Sequence, residues 1–185
     1  MNEGTFLRQI NGIVTGDEFL REIELPFTAV RVATTGALIG ATTPTAVAQG
    51  ISFATGETAD LHFNIPMDYD ESVDKCALRL HEVAATDDAN TGLLGITTAQ
   101  DIHRAGAAVD ATVSTAVAEA AVSNAGLPVR ENVLDISGRG YKPGDHITLV
   151  LTATVTTELI LLGIDLIYSG DIAAFNDADR FRDLG

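Results

Sequence analysis

The chain has 185 residues, 46% of them hydrophobic, enough for one sizeable core and too apolar for a disordered chain. A single cysteine, Cys76, excludes an intrachain disulfide framework and any multi-cysteine metal site. Against 26 acidic residues stand 11 basic ones, and the net charge of −15 disfavours phosphate backbones and anionic lipid as partners.

The start, Met1 to Arg8, lacks a basic region followed by an apolar one, so no secretion signal is read. Charge-free Val32 to Gly56 is broken by threonines, glycines, Pro44 and Gln49, and the more apolar Ile147 to Ile164 contains Glu158. Neither reads as a membrane span. The expectation is a protein made and kept in a cytoplasm, unless it leaves within an assembly.

Along the chain, Phe6, Leu7, Ile10, Ile13 and Val14 follow helical spacing, weakened by Asn11-Gly12. Thr15-Gly16-Asp17-Glu18 is a capping-box pattern, and Phe19, Leu20 and Ile23 predict the apolar side of a short helix ending before Pro26. Residues 1–45 therefore read as an N-terminal arm, apolar in places yet too small for its own core. Its candidate partner-binding residues are Phe6, Leu7, Ile10, Ile13, Val14, Phe19, Leu20 and Ile23, docking on a partner or back on the body.

From roughly Phe27 the period changes to two, through Val30, Val32, Ala46, Val47, Ile51 and Phe53. A clearer strand puts Leu61, Phe63 and Ile65 on one face with His62 and Asn64 on the other, and Pro66 closes it. Asp68-Tyr69-Asp70-Glu71 is a loop. Cys76, Leu78 and Leu80 alternate with Lys75, Arg79 and His81, Asp87 to Gly92 is a turn, and a weaker strand runs from Ile96 to His103. Val109 to Asn124 fits strand or helix, and its β-branched first half favours strand. Val129 to Ile136 is a strand. Lys142-Pro143-Gly144-Asp145 carries Pro and Gly at the central positions of a type II turn. Ile147, Leu149, Leu151, Ala153 and Val155 then alternate with Thr148, Val150, Thr152 and Thr154, and Leu162, Ile164, Leu166 and Tyr168 alternate in a last strand. Eight or nine strands predict an all-β sandwich or barrel.

Chemistry is harder to find. The four histidines, His62, His81, His103 and His146, lack the i, i+2 pair of a cupin-type metal site and read as separate surface or loop residues. Asp68, Asp70, Glu71 and Asp74, and Asp87-Asp88, lack EF-hand spacing and read as turn-forming aspartates rather than calcium ligands. There is no G-x-S-x-G elbow and no P-loop, and Cys76 falls on an apolar face as a buried, inert thiol. No catalytic residue, metal or organic cofactor is expected. The mild face of Thr148, Val150, Thr152 and Thr154 suits self-association.

Three segments resemble the jelly-roll capsid decoration (cement) proteins and related small virion proteins of tailed bacteriophages. They are Phe63-Asn64-Ile65-Pro66-Met67-Asp68-Tyr69-Asp70; Asp135-Ile136-Ser137-Gly138 leading into Lys142-Pro143-Gly144-Asp145; and Thr156-Thr157-Glu158-Leu159 followed by Leu162 to Tyr168. The likeness covers roughly Ala46 to Tyr168 and departs at Glu158, where an aspartate is expected. It implies an all-β jelly-roll sandwich over 46–168, preceded by the arm and followed by a C-terminal tail, 169–185. It further implies a non-enzymatic structural protein on the outer capsid surface of a virion, made in the host bacterial cytoplasm. Its partners would be the major capsid protein and itself, as a homotrimer, with neither nucleic acid nor membrane. The rival readings are a carbohydrate- or calcium-binding sandwich module and a tail or fibre component.

Overall fold

Alternating apolar and polar residues become strands when each face has its own partner, and that is the build of this chain. The computed structural model describes residues 20–32, 38–42, 49–84, 94–104, 106, 110–111, 129–153 and 158–170. Among them run eleven strands: β1 Leu20–Glu24, β2 Val30–Val32, β3 Leu38–Thr42, β4 Gln49–Phe53, β5 Thr58–Asn64, β6 Cys76–Ala84, β7 Leu94–His103, β8 Asp110–Ala111, β9 Arg130–Asp135, β10 His146–Ala153 and β11 Leu159–Ser169. One 3-10 turn, Phe27–Ala29, precedes β2.

Pairing is nested and antiparallel: β4 with β11, β5 with β10, β6 with β9, and β7 with β8. Two further ladders, β6 on β11 and β7 on β10, assemble these pairs into the sheets β4-β11-β6-β9 and β5-β10-β7-β8. This is a jelly roll, a long hairpin rolled into a sandwich. Three earlier strands extend it: β3 beside β4, β2 beside β5, and β1 along the last residues of β11. The stretch before Ala46, read as an arm, thus places three strands in the two sheets.

The core lies between the sheets. Leu61, Phe63, Ile65, Leu78, Leu80, Leu149, Leu151, Ile164 and Leu166, the residues assigned inward by alternation, are all buried in it. Tyr141, Phe53, Ile51 and Leu134 complete the filling. The outward residues of β6 and β11 are withdrawn from solvent too, among them Ala77, Val83, Ile160 and Ile167.

Two expectations are corrected. Leu20–Glu24 is a strand, not part of a short helix: Leu20 to Glu24 pair with Ser169 to Asp165. A helix this short is marginal in water, whereas the flank of β11 beyond the end of β4 offers a complete ladder. Leu162 is half-buried rather than in the core, because a bulge between Leu161 and Gly163 shifts the phase. Leu159 and Leu161 face inward before it, and Ile164, Leu166 and Tyr168 after it. Ala46, Val47, the expected turn at 87–92, Val109 and the 112–124 part of the ambiguous stretch, Thr154, Val155 and the 171–185 part of the tail lie outside the described residues.

Candidate functional site

Among the described residues, side-chain chemistry gathers at a loop corner and on the outer faces of the β4-β11-β6-β9 and β5-β10-β7-β8 sheets, with one buried group on the inner face of the first. At the corner, loop 65–75 meets loop 136–145. The Ile65 amide donates to the Asp145 carbonyl at 2.8 Å, and the Gly144 amide returns a bond to Ile65 at 2.9 Å. The predicted turn is present: the Asp145 amide reaches the Lys142 carbonyl at 3.0 Å. Gly144 has the positive φ of 83° that a type II turn demands.

Every aspartate of the corner is engaged. Buried Asp145 receives the Lys142 amide at 2.8 Å and both Nε and Nη2 of Arg104, at 2.8 and 2.6 Å. Burial alone would raise its carboxyl, but the Arg104 fork and the Lys142 amide outweigh it and hold the pKa below the ordinary value. Asp74 accepts the Tyr69 hydroxyl at 2.7 Å and the Gly140 amide at 3.3 Å. Asp68 accepts the Tyr168 hydroxyl at 3.1 Å and pairs with Arg21 of β1 at 2.6 Å. Burial and the neighbouring Asp68 push that tyrosine up to about 12. Ser137 clips the chain by accepting the Cys76 amide at 2.9 Å and donating to the Cys76 carbonyl at 3.0 Å. The Cys76 thiol is buried and its pKa raised by that burial, as an inert core cysteine requires. What the corner does chemically is hold loops.

On the outer face of the β4-β11-β6-β9 sheet, Asp165 accepts Arg79 Nε at 3.0 Å and Nη2 at 2.7 Å, and meets His81 Nε2 at 2.8 Å. Arg79 also bonds Glu22, tying β1 to β6 across β11. Against burial, the His81 and Arg79 contacts lower the Asp165 pKa. On the inner face of this sheet, fully buried Glu82 accepts Asn132 Nδ2 at 3.2 Å and stands opposite Arg130 in the ladder. Taking such a carboxylate out of water is expensive, and losing the Asn132 bond would leave it less compensated.

The outer face of the other sheet corrects the view of the histidines as separate residues. His62 on β5, His146 on β10 and His103 on β7 form a row, with 5.7 Å between successive ring centroids. His146 Nδ1 lies 2.8 Å from Asn64 Oδ1, and Thr148 Oγ1 lies 3.1 Å from His62 Nδ1. Sequence spacing could not reveal this row, because register across three strands creates it. No group of three or more His, Cys, Asp or Glu side chains among the described residues is arranged to hold a metal ion.

Of the candidate partner-binding residues, Leu20 and Ile23 are placed in β1, Leu20 half-buried opposite Ser169 and Ile23 41% exposed opposite Leu166. Phe6, Leu7, Ile10, Ile13, Val14 and Phe19 lie outside the described residues. No helix among the described residues is long and apolar enough to cross a membrane.

No family model matches the chain, and no curated protein matches it. Among solved structures it is similar to TmCBM61 in complex with beta-1,4-galactotriose, at 11% identity and a TM-score of 0.34, over 81% of this chain and 88% of that one.

Proposed function

We propose that the chain is a non-catalytic structural protein of a tailed-bacteriophage virion, which binds the outer surface of the assembled capsid and reinforces it. The observation that carries this reading is the loop corner. Segments 63–70 and 135–145 and the end of β11 carry much of the resemblance to decoration proteins, and they are bonded to one another at one end of a jelly roll. These parts of the resemblance lie side by side, which supports the reading.

Charge points the same way. A chain of net −15 is repelled by packaged nucleic acid and tolerates crowding at many copies on an outer shell. The corner carboxylates are spent on structural bonds, which favours a binder over a catalyst. The partners are the major capsid protein and further copies of the chain, as a trimer at symmetry positions.

Purified virions labelled with gold-conjugated antibody against the chain test this by negative-stain microscopy. Regular labelling over the head exterior is expected. Label confined to the tail, or no label on particles, overturns the proposal.

A further inference from the structure

Three of the four histidines share one sheet face, and the register explains how. His146 lies opposite His103 on one side, while His62 lies opposite Thr148, two residues along the same strand. The other described charged groups on this face are Asp60 on β5, two residues from His62, Asp101 on β7, two residues from His103, and Arg31 on β2, opposite Asp60. The outward residues of β10 beyond His146 are Thr148, Val150 and Thr152, so the central histidine has no carboxylate on its own strand's face.

We propose that His62, His146 and His103 take up protons as one coupled unit, making this face a proton-operated strip that gains positive charge as the row is protonated. Neutral imidazoles stack without penalty, but two imidazolium rings in adjacent places repel, so each proton on the row hinders the next. His62 shows a second restraint. Its Nε2 is withdrawn from solvent with no hydrogen-bond partner, so a proton added there finds no acceptor. Burial, Arg31 and His146 together hold the His62 pKa below its ordinary value, against the pull of Asp60. On so acidic a chain, a strip that charges as pH falls through the histidine range changes what this one face attracts.

Proton NMR titration of the four imidazole C2–H signals tests the coupling, with assignment by single His→Gln variants. In the wild type the three row histidines are expected to titrate broadly, with apparent Hill slopes below one. His146→Gln should raise the midpoints of both His62 and His103, by roughly half a pH unit per removed neighbour at this separation in a watery environment. His103→Gln should raise that of His146 in the same way, and His81, on the other sheet, should stay in place in every variant. Three independent single-site curves in the wild type, or row midpoints that do not move in both variants, overturn the proposal.

Discussion

Leu149 has no exposed surface and lies opposite Leu61 in the middle of β10. Leu149→Ala leaves a hole that the paired sheets cannot close, and is expected to cost about 2–5 kcal/mol, read as a lower urea midpoint with unchanged slope. Gly50 presents the opposite problem. A Cβ there would lie 2.3 Å from the Leu161 carbonyl oxygen, so Gly50→Ala must push β4 off β11 and should cost roughly 1–3 kcal/mol. Asp145 titrates with a depressed pKa, so its stabilisation is complete above the ordinary carboxylate range and is lost as pH falls through the lowered value. Asp145→Asn should therefore lower the melting temperature at pH 7 and flatten the loss of stability below about pH 4. At this scale the core was legible, since a period of two assigns faces without knowing neighbours. Leu162 was not, because a bulge shifts the phase and Gly163 is its only mark.

Among the elements, β1 separates local signals from tertiary ones. Its residues follow a capping-box pattern that reads as helix, yet β11 offers five partners and two ion pairs secure the strand, Arg21 with Asp68 and Glu22 with Arg79. Pairing across the chain outweighs the few tenths of a kcal/mol per residue that separate propensities. Deleting residues 2–24 removes the strand and both ion pairs, and should lower the melting temperature more than deleting residues 2–19, which leaves them in place. Equal melting temperatures would mean that β1 adds nothing to the sheet. The histidine row belongs to this scale too. Its members lie on strands whose adjacency depends on ladders between β5, β10 and β7, and alternation fixes a residue's face but not its cross-strand neighbour.

For the molecule as a whole, nested pairing joins β4 to β11 across about a hundred residues of chain, and nothing in a single sequence marks such partners. The sandwich was legible from strand number and the jelly roll from resemblance; the order of strands came from the structure alone. On the proposed capsid-binding reading, the test at this scale falls on the residues before β1. With Leu20 and Ile23 placed in β1, the candidate anchors of that reading are Phe6, Leu7, Ile10, Ile13, Val14 and Phe19. Burying an anchor such as Phe6 against a capsid is worth roughly 1.5–3 kcal/mol, and several anchors repeated across a symmetric oligomer would bind tightly although each is weak. Because β1 belongs to the sheet, the informative truncation stops at Phe19. Protein lacking residues 2–19 should keep the far-ultraviolet circular dichroism of a folded β-sandwich and fail to co-sediment with capsids that bind the full chain. Undiminished co-sedimentation would place the docking surface elsewhere, and loss of the folded spectrum would show that the arm packs on its own body.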